Sequence, residues 1–516
     1  MDLLRLPPER QESGSSSTPE AVIALDPEAG GEANALSPGR RIFTCRNLRF
    51  DQISQVGFDM DYTLAPYVKR NIEELSFRLT AERLVKAHGY PEEVLTIEYD
   101  PQFVVRGLAV DKRLGNLLKM NGHNYVGRAY HGRRPLSKEE RIELYRNQKI
   151  RLNTPRYYWL DTLFALPEAI LYAGVIDLYE NQLGIKKVAY AKLFEDIRES
   201  IDACHRDGSL KAIVKADLGR YIAVDPALPP TLHKLRSAGK RLFVLTNSMW
   251  DYTNAVMSFL LDGKLAEYPG WLNYFDVVIV GAGKPEFFTE NREFRRVNLE
   301  TGLAVDHPVN RLEPRGVYQG GSIRRFDKLC PGEGGDRVLY VGDHIYGDII
   351  RSKKDSLWRT ALILEELESE LGLPDEIQRA QLDLVALEEH REHLDDETTN
   401  LKLRLNQVEQ AMDDHGEPAR QEELSRMKRQ LRLSLDRKRR DLKAVIARRE
   451  ELTQQIDQAY NPYWGSVFKE GSELSRFGEQ VEDYACLYTS RVSNFLSYSP
   501  SQYFRSPRHW MAHEKA

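Results

Sequence analysis

Cysteine is scarce in this chain. The 516 residues include four cysteines, Cys45, Cys204, Cys330 and Cys486, and no two of them stand at the spacing of a metal-binding pair. A cysteine-ligated metal site is therefore not expected. Scattered cysteines of this kind are typical of the reducing cytosol, so we predict a cytoplasmic protein.

Long apolar runs are also missing. The N-terminal stretch "MDLLRLPPERQESG" has no sustained apolar segment, so it does not predict a secretory signal. The most apolar long stretch, residues 163–179, includes Pro167, Glu168 and Asp177, which indicates a buried helix rather than a membrane span. We therefore predict no membrane partner.

The chain has no overall excess of positive charge, because 73 Lys and Arg face 78 Asp and Glu, for a net charge of −5. Residues 420–449 are locally basic, with 12 Lys/Arg and 4 Asp/Glu. Residues 375–414 show the reverse, with 4 Lys/Arg and 12 Asp/Glu. We expect the two segments to neutralise each other, and we predict no nucleic-acid partner.

Apolar residues recur every three, four or seven positions over residues 375–459. The pattern is interrupted by "DDHGEPAR", in which Gly416 and Pro418 break helices. This predicts two long helices folded into an antiparallel coiled-coil hairpin, which is structural or forms oligomers.

Four short runs rich in Val, Ile, Leu and Phe lack polar alternation, as strands buried on both faces require. They are residues 53–59, 241–247, 275–284 and 337–343. Helical patterns lie between the runs, which predicts a doubly wound parallel α/β sheet. Roughly 180 residues separate the first run from the second, far more than one crossover helix needs, and this predicts a large cap insertion.

These patterns predict a division of the chain into four parts. The parts are a disordered tail at 1–40, a core at 41–370 with a cap at roughly 85–225, the helical hairpin at 371–460, and a helical segment at 461–516 that packs on the core.

Each apolar run ends in a polar side chain. The ends are Asp59, Thr246 with Asn247, Lys284 and Asp343. Ligands of open α/β sheets bind outside the carboxyl ends of the strands, so these side chains predict a common site.

The residue types at this site suit phosphate monoester hydrolysis. Asp59 is the candidate nucleophile and would form an aspartyl-phosphate. Asp61, two residues further on, is the candidate general acid and then base, and its backbone carbonyl is a candidate metal ligand. Attack by one anion on another needs neutralisation, which predicts Mg²⁺ as the cofactor.

The remaining polar residues complete the predicted site. Thr246 and Asn247 can hydrogen-bond phosphoryl oxygens, and Lys284 adds a fixed positive charge. Asp343 and Asp348, in "GDHIYGD", are the other carboxylates for the metal. The neighbouring His344 is not expected to be a ligand, because Mg²⁺ prefers oxygen.

In order, "DMDYT", "LTNS", "GKP" and "GDHIYGD" resemble the four motifs of the haloacid dehalogenase (HAD) superfamily of phosphohydrolases, whose core is Rossmann-like. Further segments, "YDPQFVVRGLAVDKRLGNLLKM", "GKPEFF", "YQGGS" and "LYTSRVSNFLSYSPSQYFRS", resemble the cytosolic IMP/GMP-preferring 5′-nucleotidases over roughly residues 42–513. The resemblance implies a Mg²⁺-dependent purine 5′-nucleotidase with phosphotransfer to a nucleoside as a side activity. It also implies a homo-dimer or homo-tetramer and a nucleotide effector.

The same resemblance implies a purine pocket in the cap. Its pattern appears in "IRESIDACHRDGSLK" and carries over Arg198, Asp202, His205 and Lys211, while Phe164 matches the aromatic residue that stacks on the base. The chain departs from the family at three positions, with Asp161 and Ala165 where asparagine is usual and Arg206 where an aromatic residue is usual.

Two other functions are compatible with these residues. The altered pocket could accept a sugar phosphate or a pyrimidine nucleotide, with the same chemistry at Asp59. Alternatively, the protein could be a non-catalytic scaffold that assembles partners through the hairpin.

Overall fold

The structure is a computed structural model. It describes residues 36–507 except 147–149, 186, 306, 308, 331–333, 351–355 and 414–417. The predicted disordered tail, residues 1–40, therefore lies almost wholly outside the described residues. The described residues from Pro38 onwards form one compact unit.

A central sheet dominates this unit, with ten strands among the described residues. In spatial order they are Phe43–Thr44, Leu487–Thr489, Arg359–Ile363, Val338–Gly342, Gln55–Phe58, Arg241–Leu245, Val277–Val280, Gly316–Gly320, Phe294–Val297 and Ala304–Val305. The strands from Leu487–Thr489 to Gly316–Gly320 run parallel, and the outer ones are antiparallel.

The innermost strands are buried along their whole length, as apolar runs without alternation predict. Helices follow these strands along the chain. They are Lys69–His88, Leu228–Ser237, Trp250–Leu261, Glu286–Thr289, Ile323–Leu329 and Glu366–Leu371. The predicted α/β fold class is confirmed.

The long insertion between Gln55–Phe58 and Arg241–Leu245 contains a second, antiparallel sheet. Its strands, in order, are Arg134–Pro135, Val126–His131, Asn116–Met120, Leu108–Asp111 and Tyr157–Leu160. Its helices are Lys138–Tyr145, Leu166–Asp177, Tyr190–Arg206, Ser209–Ala216 and Leu218–Tyr221. This insertion is the cap, although the exact domain boundaries stay a prediction.

The apolar stretch at residues 163–179 is mainly the helix Leu166–Asp177, and its residues from Leu166 to Ile176 are all buried. Within the described part of the chain, no helix is both long enough and apolar enough to cross a membrane.

The hairpin consists of Asp375–Asp413 and Pro418–Tyr460, which pack along each other. Ion pairs join the acidic helix to the basic one, as their opposite charges predict. The pairs are Glu409–Lys428, Glu397–Lys438 and Glu388–Arg449. Because the numbering falls in one helix as it rises in the other, the helices are antiparallel.

The described part of the segment after the hairpin, residues 461–507, is not mainly helical, contrary to the prediction of a helical segment at 461–516. It contains the helix Arg476–Tyr484, but also the strand Leu487–Thr489, which lies inside the central sheet. A three-residue strand is too short to produce a periodic signal, and its neighbour Arg359–Ile363 is distant in sequence.

The cap is tied to this C-terminal segment by Lys119. Its ammonium group is buried and donates to the backbone carbonyls of Trp464, Ser466 and Lys469 at 2.7, 2.6 and 2.6 Å. All three donors of the ammonium are therefore satisfied, which offsets the cost of burying its charge.

Candidate active site

The carboxyl ends of neighbouring parallel strands meet at one edge of the central sheet. Asp59 follows Gln55–Phe58, Thr246 follows Arg241–Leu245, and Asp343 follows Val338–Gly342. A cavity of about 480 Å³ opens there, between the sheet and the cap. Its lining includes Asp59, Asp61, Asn247, Lys284, Asp343 and Asp348 from the core.

Three carboxylates crowd the floor of the cavity. Asp59, Asp343 and Asp348 are buried, and each offers an oxygen within 4.8 Å of the others. Lys284 Nζ lies 2.9 Å from Asp59 Oδ2 and 2.7 Å from Asp348 Oδ1. One buried ammonium thus pairs with two of the three carboxylates, which leaves an excess of negative charge.

Burial, together with this excess charge, shifts the pKa values of the cluster. Burial raises the pKa of Asp59 to about 7, with Asp348 and Asp61 adding to the rise and Lys284 opposing it. Burial and the neighbouring aspartates also raise the pKa of Asp343 well above its ordinary value. A divalent cation would offset this charge, and a donor set made only of oxygens fits a hard cation such as Mg²⁺.

Asp348 is fixed by more than the lysine. Its Oδ2 accepts a hydrogen bond from the backbone N–H of His344 at 3.2 Å, and its Oδ1 lies 3.3 Å from the Tyr340 hydroxyl. The His344 ring points elsewhere, with Nε2 3.2 Å from Asp161 Oδ1 of the cap. The histidine is therefore outside the carboxylate cluster, and Asp161 connects the cap to this loop.

A buried arginine supports the Asp343 loop from behind. Arg106 donates to the Asp343 carbonyl oxygen at 2.8 Å and to both carboxylate oxygens of Glu366 at 2.6 and 2.5 Å. Its side chain has no exposed surface. Paired in this way, the guanidinium orients the backbone of a candidate metal ligand.

Asp61 lies beside the carboxylate cluster and has its own partners. The Tyr67 hydroxyl donates to Oδ1 at 2.7 Å, and the Ser248 hydroxyl donates to Oδ2 at 2.7 Å. Burial, followed by the nearby Asp61 charge, raises the pKa of Tyr67 well above its ordinary value. The tyrosine therefore remains a hydrogen-bond donor.

The residues after the Arg241–Leu245 strand divide their tasks. Asn247 exchanges two hydrogen bonds with the backbone of Lys284, at 2.6 and 3.0 Å, and so ties the two loops together. Thr246 is fully buried and is not among the described residues that line the cavity; its hydroxyl accepts from the Ser248 N–H at 3.1 Å. Direct contact between Thr246 and a phosphoryl group stays a prediction.

The predicted purine-pocket residues line the same cavity from the cap side. They are Phe164, Arg198, Asp202, His205 and Lys211. The Phe164 and His205 rings meet edge to face with centroids 6.0 Å apart. Burial and then Lys211 lower the pKa of His205, so its ring is neutral and can donate or accept.

Arg198 is held by a residue that the sequence patterns do not indicate as part of the site. Its Nη1 donates to both carboxylate oxygens of Glu168 at 3.0 and 2.9 Å and to the Tyr158 hydroxyl at 2.8 Å. Asp202 lies 3.4 Å from Nη2. Burial raises the pKa of Glu168 to about 7, although Arg198 opposes the rise.

The three departures from the family pattern are not equivalent. Asp161 and Ala165 line the cavity, whereas Arg206 is exposed at the end of Tyr190–Arg206 and is not among the described lining residues. The first two are therefore placed where they can affect a ligand.

The site combines an Asp-x-Asp pair, a lysine and two further aspartates at adjacent strand ends of a parallel sheet, under a cap. This combination defines the HAD class of phosphohydrolases. This chain also matches the model of the 5′ nucleotidase family over residues 42–516. The chain belongs to that family and is a phosphoric monoester hydrolase that acts as a nucleotide phosphatase.

A relative of the chain agrees with this assignment. The chain is 31% identical over 479 residues to a 5′-nucleotidase domain-containing protein of Dictyostelium discoideum, in an alignment that covers 92% of this chain and 74% of that protein. A magnesium-bound crystal structure of YfnB from Bacillus subtilis, described as a HAD-hydrolase, is 13% identical and covers 62% of this chain and 99% of that one, with a TM-score of 0.22. So low a TM-score does not establish a shared arrangement, and the fold assignment rests on the sheet itself.

Proposed function

We propose that this protein is a Mg²⁺-dependent 5′-nucleotidase that hydrolyses purine nucleoside 5′-monophosphates, with IMP and GMP preferred. One observation carries the proposal. A single cavity of about 480 Å³ is lined by the carboxylate–lysine cluster on one side and by Phe164, Arg198, Asp202 and His205 on the other. Its two sides suit the two ends of a nucleotide.

The chemistry takes place in two steps. In the first, a carboxylate oxygen of Asp59 attacks phosphorus and the P–O5′ bond breaks, while Asp61 gives its proton to the departing 5′ oxygen. In the second, Asp61 takes a proton from water, which attacks phosphorus and releases phosphate from the aspartyl-phosphate. If a nucleoside 5′-hydroxyl replaces the water, the result is phosphotransfer.

The other residues assist by charge and position. Lys284, 2.9 Å from Asp59, favours the ionised nucleophile and stabilises the phosphoryl oxygens. Asp59, Asp343 and Asp348, with the backbone carbonyl of Asp61, would hold Mg²⁺, which supplies neutralisation of the phosphoryl charge when bound. Thr246 and Asn247 would complete the phosphoryl site.

The base end would be read by complementary groups. Asp202 accepts from a purine N–H, Arg198 donates to the 6-oxo oxygen, and the neutral His205 can do either. Phe164 supplies a face for stacking. The 6-oxo group matters because Arg198 can donate to an oxygen at this position, whereas the 6-amino group of adenine is itself a donor.

A substrate panel tests the proposal. Phosphate release is measured from IMP, GMP, AMP, CMP, UMP and several sugar phosphates, with Mg²⁺ and with EDTA. The expected result is turnover that requires Mg²⁺ and has the highest kcat/KM for IMP and GMP. Turnover of pyrimidine nucleotides or sugar phosphates instead would retain the Asp59 chemistry and discard the purine pocket. Added inosine should divert phosphate to IMP when another nucleotide is the donor.

A further inference from the structure

Both carboxylate oxygens of Asp61 are held by neutral hydroxyl groups. Tyr67 donates to Oδ1 and Ser248 donates to Oδ2, each at 2.7 Å. Tyr67 follows the Asp-x-Asp turn, and Ser248 precedes the helix Trp250–Leu261. Because the two donors approach different oxygens, they fix the plane of the carboxylate as well as its position.

A second layer supports these donors. The Tyr252 hydroxyl lies 2.8 Å from that of Tyr67, and since the Tyr67 proton is directed at Asp61, Tyr252 is the donor. Lys211 Nζ donates to Ser248 Oγ at 3.3 Å and lies 5.0 Å from the centre of the Tyr252 ring. Each hydrogen bond of this network therefore leads towards Asp61.

We propose that Tyr67 and Ser248 are positioning residues for the general acid–base Asp61, and that Lys211 connects this arrangement to the cap. The inference rests on the proposed role of Asp61. It adds two residues to the reaction that neither touch the phosphoryl group nor bind the metal in the mechanism given above.

The physical reason lies in the demands of proton transfer. A general acid acts only when its proton is directed at the leaving oxygen within hydrogen-bond distance. Each carboxylate oxygen has two lone-pair sites, so an oxygen that accepts from Tyr67 or Ser248 retains one for the transferred proton. A carboxylate that is free to rotate would spend part of its time with its proton pointing away from the leaving oxygen.

The network also crosses from the core to the cap. Lys211 belongs to the cap helix Ser209–Ala216, whereas Ser248 and Tyr252 belong to the core. Ser248 therefore has its cap partner Lys211 only when the cap lies over the sheet. Protonation of the leaving group is thus linked to the enclosure of the substrate.

The leaving group provides a test that a merely structural role would not affect. A nucleoside or other alkyl alkoxide must be protonated as it leaves, whereas 4-nitrophenolate leaves without a proton. We expect Tyr67→Phe and Ser248→Ala each to lower kcat/KM about tenfold for the best 5′-nucleotide. For 4-nitrophenyl phosphate the loss should be less than about twofold, and Ser248→Thr should recover the activity that alanine loses.

Two control variants match the substitutions elsewhere in the chain. Tyr463→Phe removes a hydroxyl that donates to Asp100 at 2.7 Å, and Ser466→Ala removes one that donates to Glu370 at 2.7 Å. Neither residue is among the described lining of the cavity. Both controls should leave the ratio of nucleotide to 4-nitrophenyl phosphate activity unchanged.

Equal losses on both esters, or no loss on either, would overturn the positioning role. The wild-type panel keeps this result separate from the proposed function. If the wild-type enzyme does not hydrolyse nucleotides, the proposed substrate is wrong. The ratio is then measured between glycerol phosphate, whose alkoxide also needs a proton, and 4-nitrophenyl phosphate.

Discussion

The carboxylate of Asp59 lies within reach of one ammonium group, two further aspartates of the cluster and the cap cavity. Asp59→Asn keeps the shape of the side chain but removes the nucleophilic anion. We expect kcat to fall by about ten-thousand-fold or more, with the fold retained. The measurement is phosphate release, with circular dichroism and thermal unfolding as controls.

This substitution also separates the enzyme from a scaffold. A role in assembly that persists in the Asp59→Asn protein would favour the scaffold function carried by the hairpin. Activity within about tenfold of wild type would mean that another group is the nucleophile.

The same cluster makes stability depend on pH when no divalent cation is bound. Burial raises the pKa of Asp59 from 3.8 to about 7 in the folded chain. A carboxyl whose pKa is higher in the folded state stabilises the fold while protonated. That contribution is complete below the unfolded value and is lost as pH rises through about 7. The unfolding temperature in EDTA should therefore fall between pH 5 and pH 8 more steeply than in Mg²⁺.

Other buried acids contribute to both profiles. Burial raises the pKa of Glu168 and of Glu370 to about 7. These two glutamates contribute to the pH dependence of stability both in EDTA and in Mg²⁺. The difference between the EDTA and Mg²⁺ profiles therefore isolates the aspartates. Asp59→Asn should reduce that difference, and superimposable profiles would show that no cation binds at the cluster.

Glu168 provides a prediction about substrate affinity. Its carboxylate has no exposed surface and binds Arg198 through both oxygens. Glu168→Gln leaves the guanidinium less firmly held, so we expect KM for IMP to rise about tenfold with kcat changed less than about threefold. The control Glu140→Gln removes an exposed pair with Arg134 and should change neither constant. A fall in kcat with unchanged KM would contradict a role in binding.

At the scale of elements, the hairpin should be separable from catalysis. Leu394 is 2% exposed between its helices, and no described hairpin residue lines the active-site cavity. Leu394→Ala removes buried methyl groups at a cost of about 2–5 kcal/mol. We expect faster proteolysis within residues 375–460 and unchanged kcat/KM. A matched loss of activity would mean that the hairpin supports the site.

The predicted elements and the missed ones differ in how locally they are encoded. The strands that end at Asp59 and Asp343 are apolar runs followed at once by aspartate, so a short window of sequence is enough to find them. Leu487–Thr489 is specified by its pairing with Arg359–Ile363, more than a hundred residues away. Nothing within its own three residues indicates a central strand.

The same distinction applies to the site. The residues of the four motifs are found because their types and order have chemical meaning. Glu168, Tyr67 and Arg106 acquire their roles through partners brought together by folding, namely Arg198, Asp61 and the Asp343 carbonyl. Arg106 lies within a segment that resembles the 5′-nucleotidases, but no pattern in that segment shows that it faces Asp343.

For the molecule as a whole, the predicted dimer or tetramer and the nucleotide effector stay predictions. Light scattering of the full chain after size-exclusion chromatography should give two or four times the chain mass. Nucleoside triphosphates, added to the assay at saturating substrate, should change kcat if an effector site exists. A monomer whose rate no nucleotide alters would contradict both expectations.

The order of strands in the central sheet has a consequence for how this protein is made. Phe43–Thr44 pairs with Leu487–Thr489, which in turn covers the side of Arg359–Ile363. During translation Phe43–Thr44 therefore cannot pair until residues near 490 have been made. Until then, Arg359–Ile363 exposes unpaired backbone N–H and C=O groups. A nascent chain that stalls before that point has an aggregation-prone edge strand. Chaperones must then bind this strand, or proteases must degrade the chain.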